Sequence, residues 1–188
     1  MPTPDRTSLG AIVRAGRDIV EARGLSGLTM QAVANRVGVR APSLYKRVGS
    51  RDDLIRLITE ATVRDLEARL VTAASTSDAG ATLRELARAF RTFAHERPAG
   101  YRLIFAPESD AARGDVELLA QASAPVLRIA DALAGPDDAL AAARTITAWA
   151  HGFVSMELAG AFRLGGDVDR AFEFGLDRLA DALTSRTR

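Results

Sequence analysis

The chain has 188 residues, 47% hydrophobic and 26% charged, the make-up of a folded globular protein with one large domain or two small ones. It has no cysteine, which excludes disulfides, thiolate metal sites and cysteine nucleophiles. No apolar run approaches the ~20 residues that a membrane helix needs, and the start Met1–Arg6 lacks the basic and apolar regions of a signal peptide, so a cytoplasmic protein without a membrane partner is expected.

The elements follow one another as helices. Leu9, Ile12, Val13, Gly16, Ile19 and Val20 recur at three- and four-residue steps and mark one buried face, with a stop near Gly24. Thr29 is placed to cap a short second helix through Met30, Val33, Ala34 and Val37, which Gly38 ends. A third runs from Ala41 to Val48 with Pro42 in its first turn, where the missing N–H is harmless. Ser50 and Asp53 form a box-like start for a fourth helix, which continues to about Ala74. Further helices are predicted over 81–96, 98–106, 113–134, 137–164 and 168–184, with Pro125 kinking or dividing the seventh. No segment shows strand alternation, so the fold class is all-α, about nine helices.

The net charge of +1 hides a division. Residues 1–56 hold ten basic and five acidic side chains, a net +5 that leaves −4 for the remainder. A basic head on an acidic body suits a polyanion bound at one end; arginines gathered on a solvated face would give the same count. The second and third helices with their glycine turn, braced by the first, have the pattern of a helix-turn-helix. Val33, Ala34, Val37, Val39, Leu44 and Val48 would lock the pair. Arg40, Ala41, Pro42, Ser43, Tyr45, Lys46 and Arg47 would then face outward, with small residues for close approach and donors for bases and phosphates.

The run from Leu28-Thr29-Met30-Gln31-Ala32-Val33-Ala34 through Gly38-Val39-Arg40-Ala41-Pro42-Ser43-Leu44-Tyr45 to Ser50-Arg51-Asp52-Asp53-Leu54 resembles the DNA-binding domain of the TetR family of transcriptional regulators. It departs from that pattern at Arg40, where members usually carry a serine cap, and at Arg47-Val48, where many have His-Phe. The resemblance implies that Thr29, Tyr45, Lys46 and Arg51 grip phosphates and that Arg40, Ala41 and Ser43 reach base edges, with Pro42 stiffening the helix start. Arg6 is read as a solvated terminus, with a minor-groove arm as the alternative. Domains are expected at 1–50 for DNA binding and 51–188 for regulation and dimerisation.

In the C-terminal half, Phe93-Ala94, Glu96, Pro98, Tyr101, Leu103 and Phe105, followed by Trp149-Ala150-His151-Gly152-Phe153, are similar to the TetR-type C-terminal domain named for its Trp-His-Gly signature. The eighth helix is apolar around its whole circumference, so one face is expected to meet a second chain. Phe153, Gly160, Ala161 and Phe174 are the candidate interface residues, in a four-helix bundle across a two-fold axis. Phe90, Phe93, Tyr101, Phe105, Trp149, Phe153 and Met156 are candidates for an effector pocket, although aromatics at helical spacing also describe plain core. A homodimer on palindromic double-stranded operator DNA, released by a small-molecule effector of unidentified chemistry, is the resulting expectation. Two separated histidines and the absence of a nucleophile elbow or phosphate-cradling loop argue against an enzyme, and no cofactor or metal is expected. A helical enzyme or a protein-binding adaptor is the alternative.

Overall fold

Local sequence signals set most of the boundaries. The computed structural model describes residues 8–74, 76–107, 110 and 113–184; Arg6 lies outside them. Among these residues the chain forms α1 (Leu9–Arg23), a 3-10 turn (Leu25–Gly27), α2 (Met30–Val37), α3 (Ala41–Leu44), α4 (Arg51–Ala73), α5 (Ala79–Glu96), α6 (Pro98–Phe105), α7 (Val116–Ala134), α8 (Ala139–Leu158) and α9 (Val168–Thr184), with no strand. No helix among them is long and apolar enough to cross a membrane.

The caps expected at Thr29, Gly38 and Ser50 are made, and Ser8 adds one at α1. Ser8 accepts from the Ala11 N–H (3.2 Å) and Thr29 from the Ala32 N–H (3.0 Å). Gly38 takes the left-handed conformation (φ 76°, ψ 37°) and donates to Asn35, while Val39 donates to Ala34, so the turn closes as a Schellman motif. Ser50 accepts from Asp53 N–H at 3.0 Å. The Asp53 carboxylate returns to the Gly49 N–H at 3.1 Å, one residue ahead of the reciprocal capping-box position. Arg56 and that N–H together hold its carboxyl below the usual aspartate range.

Two helix ends fall well short of expectation. The α-helical run of α3 stops at Leu44, not Val48, and the chain closes in turns as Arg47 and Val48 both donate to the Leu44 carbonyl. Val48 is 1% exposed, and its descent beside Leu44 into the core ends the regular coil. Helix α7 runs as one element through Pro125, so of the two expected outcomes, kink or division, division does not occur. Helix α8 ends at Leu158, not near 164: Gly160 (φ 63°) donates to Glu157 and Ala161 to Met156, a second Schellman closure. Gly160 and Ala161 therefore belong to the turn after α8 and not to the helix.

The chain divides into two compact units, one of residues up to Asp65 with Arg97–Leu119, the other of Leu66–Glu96 with Ala120 onward. The first packs Ile12, Ile19, Val20, Leu28, Val33, Ala34, Leu44, Leu54, Ile55 and Ile58 with Ala99 and Leu103 of α6. The α6 helix is fastened there by Glu21 of α1, whose carboxylate accepts from the Ala99 (3.1 Å) and Gly100 (2.8 Å) N–H groups at the helix start. Glu21→Ala leaves both donors without it and is expected to cost about 1–2 kcal/mol. Hydrogen exchange at Ala99 and Gly100 measures this; unchanged rates would show the cap to be idle.

In the second unit Leu83, Ala130, Leu133, Ala142, Ile146 and Ala180 form one cluster, and Ala87, Phe172 and Leu176 a second, covered by Trp149 and Phe153. Gly175 of α9 is a seat for the Trp149 ring: a Cβ there would lie 2.4 Å from Trp149 Cζ2.

Candidate nucleic-acid interface

The expected reading surface stands on a fully formed core. Val33, Ala34 and Leu44, each 0% exposed, lock α2 to α3, so the side chains between them on the outer side have nowhere to go but solvent. Arg40, Pro42, Tyr45, Lys46 and Arg47 are exposed, and Ala41 and Ser43 are half-buried. Arg40 is the N-cap residue of α3 but makes no side-chain cap bond, so its guanidinium is not spent on the helix start. The Tyr45 ring is 54% exposed at the C-cap, which settles against core packing as its main employment. Thr29 accepts the Ala32 N–H through Oγ1, and the hydroxyl proton remains available as a donor.

Charge sorts the basic residues further. Arg17 is paired with Asp65 (2.6 Å), Arg36 with Asp18 (2.8 Å), and Arg56 with both Asp53 and Glu60 (2.6 Å each). The first joins α1 to α4 and the second α2 to α1, while Arg56 pairs along α4. Arg40 and Lys46 are exposed with no acidic partner among the described residues, which leaves their charge facing solvent. Arg51 is engaged differently: Nε donates to the Leu28 carbonyl and Nη2 to the Leu25 carbonyl, each at 2.7 Å. Sequence reasoning gave no sign of that, since nothing in local spacing links residues 25 and 51.

The aromatic candidates are divided between the two units. Tyr101 and Phe105, rings 5.0 Å apart, belong to the first unit; Phe90, Phe93, Trp149, Phe153 and Met156 belong to the second. There Trp149 stacks on Phe172 at 5.3 Å, and Phe153 meets Phe172 edge-on at 5.2 Å and Phe162 at 4.9 Å. Phe93 is fully buried with the Arg69 guanidinium 5.5 Å from its ring, while Met156 is 49% exposed. Trp149 and Phe153 thus share a core cluster with Phe172. Of the interface candidates, Phe174 is 65% exposed with Arg178 over its ring, and Ala161 is exposed.

Sequence reasoning also missed a polar joint in the second unit. Arg91 of α5 forks onto Glu157 of α8, reaches Asp169 of α9 at 2.6 Å, and lies 4.8 Å over the Phe172 ring. His95 Nε2 lies 3.0 Å from the same Glu157 carboxylate. Arg91 holds the Glu157 carboxyl below the usual glutamate range.

A short α2, a Schellman turn and a short α3 with an exposed, basic, hydroxyl-bearing outer side define a helix-turn-helix DNA-binding regulator of transcription. Residues 12–58 match the family described as bacterial regulatory proteins, tetR family, and residues 83–179 match the tetracyclin repressor-like C-terminal domain. The chain belongs to the TetR family of transcriptional regulators. It is 29% identical over 194 residues, 98% of this chain and 85% of the relative, to the Mycobacterium tuberculosis protein described as an uncharacterized HTH-type transcriptional regulator, Rv0681. A structure of a protein of unknown function from Rhodococcus sp. RHA1 superposes with a TM-score of 0.80 at 24% identity, covering 98% of this chain and 100% of that one. The structure of BioQ with its double-stranded DNA operator gives a TM-score of 0.66 at 25% identity, covering 94% and 98%.

Proposed function

We propose that this regulator acts as a homodimeric repressor in the cytoplasm, released from a palindromic operator by a small-molecule effector. The observation that carries the DNA half is the outer side of the helix-turn-helix, where Arg40, Tyr45 and Lys46 are exposed above a core that Leu44 and Val48 close. Thr29, Tyr45 and Lys46 are assigned to phosphates; Arg40, Ala41 and Ser43 to base edges, with Pro42 fixing the helix start. Residues 1–50 form the reading part and 51–188 the regulatory and dimerising part, with Trp149, His151 and Gly152 marking the Trp-His-Gly subtype.

The dimer reading rests on apolar side chains left at the surface. Met156 of α8, Phe162 and Leu164 of the following turn and Phe174 of α9 are all exposed, and Leu164 entirely so. A second copy is the economical cover, with Phe153, Gly160, Ala161 and Phe174 on or beside that surface. The effector is assigned to apolar residues of the second unit, Phe90, Phe93, Trp149, Phe153 and Met156. It must bind the DNA-incompetent conformer better, and a coupling of ~1–3 kcal/mol is typical. Nothing in this role requires catalysis.

The test is selection of bound fragments from random duplex DNA, with sedimentation of the free protein. A two-fold symmetric motif with half-sites ~34 Å apart or a small multiple, a steep loss of affinity with salt, and a dimer mass are expected. A protein that retains no duplex at low ionic strength, or sediments as a monomer on and off DNA, overturns the reading.

A further inference from the structure

Arg51 opens α4 where a cation suits a DNA phosphate, and resemblance assigns it that contact. Its guanidinium is turned to another use. The two carbonyls it takes, Leu25 and Leu28, are the two ends of the turn that hands α1 to α2, and the Leu28 N–H donates back to Leu25 at 3.2 Å. Leu28 is fully buried, and the next residue is Thr29, the N-cap of α2. The other end of the strut is equally fixed, because Ser50 and Asp53 cap the start of α4. All of these residues lie in the first unit. Two N–H groups at the fixed spacing of a planar fork hold two carbonyls in one orientation, which a single ammonium cannot reproduce.

We propose that Arg51 is a positioning residue for DNA binding: it sets the Leu25–Leu28 turn so that Thr29 and the start of α2 are presented to a phosphate, and it does not carry a phosphate contact of its own. This rests on the DNA-binding reading above.

The probe is the duplex that the wild-type chain selects from random DNA, titrated over a range of salt with the full-length wild type, Arg51→Lys, Arg51→Ala and, as a benchmark for phosphate contact, Lys46→Ala. Both Arg51 variants are expected to lose roughly tenfold in affinity at every salt concentration, because a charge-assisted pair of bonds is lost upstream of the contact. Their log–log salt slope stays that of the wild type, and exchange of the Leu28 and Ala32 amides quickens. Lys46→Ala flattens the slope by about one per head. If Arg51→Lys binds like the wild type while Arg51→Ala flattens the slope, Arg51 touches phosphate and the proposal is wrong. It is equally wrong if amide exchange quickens with no change in affinity. Should Arg51→Ala fail to fold, Arg51→Lys carries the same distinction. A wild type that binds no duplex sinks the DNA reading itself, and this role with it.

Discussion

Tyr45→Ala is expected to reduce operator affinity by more than a hundredfold while leaving the protein folded. More than half of the ring is exposed at the C-cap of α3, so its removal takes little apolar area out of the core, and surface changes of this kind stay within about 0.5 kcal/mol of stability. The core beneath depends on Leu44 and Val48, which the substitution does not touch. A phenol donating to phosphate makes a hydrogen bond to a charged group, about 1.5–3 kcal/mol, and a dimer presents two such groups. Tyr45→Phe separates the hydroxyl from the ring: a loss as large as that of alanine assigns the effect to the hydroxyl, and a small loss assigns it to stacking and shape. Anisotropy titrations with the selected duplex, beside thermal melting, make the measurement. A melting temperature that falls in step with affinity would return Tyr45 to a structural role and remove it from the interface.

Where the sequence was legible, the signal was local. Thr29 and Gly38 bracket α2 because a hydroxyl cap and a left-handed glycine are properties of single positions. The same closure at Gly160 escaped reading because Ala161, Phe162 and Leu164 continue an apolar pattern past the end of α8, and pattern cannot separate a buried helix face from a surface that a partner would cover. Helix α3 proved short for a related reason: Leu44 and Val48 keep a helical interval whether the chain between them is coiled or turned. Helical spacing sets Gly175 beside Phe172 and Leu176 on the buried stripe of α9 but gives no reason for a glycine. The reason is Trp149, on a different helix, whose ring occupies the place of the missing Cβ. The aromatic candidates show the same limit, since helical spacing gives no sign that Trp149 and Phe153 both meet Phe172 of another helix. Arg51 and Arg91 were opaque, because their partners lie 23 to 78 residues away.

Arg91→Met is expected to destabilise the second unit by about 2–3 kcal/mol, since breaking a largely buried ion pair strands the remaining charge. Arg91 and Glu157 are only 18% and 14% exposed, and the fork between them joins α5 to α8 while the same guanidinium reaches Asp169 on α9. Methionine keeps an apolar stem over Phe172, so the change isolates charge from packing. The pH dependence identifies the mechanism. Glu157 is held below its ordinary pKa in the folded chain, chiefly by the hydrogen bond from Arg91, so its contribution is complete above the unfolded glutamate pKa and is lost as pH falls through the lowered, folded value. The stability gap between wild type and variant should therefore be full near neutrality and close as the solution is acidified past the usual glutamate range. Removing both charges in Arg91→Met with Glu157→Leu should recover most of the loss, because the partners left behind, Asp169 and His95, are exposed to water. A gap that stays constant with pH, or a double variant no more stable than Arg91→Met alone, would mean that Arg91 acts through packing on Phe172 and not through the carboxylate it holds.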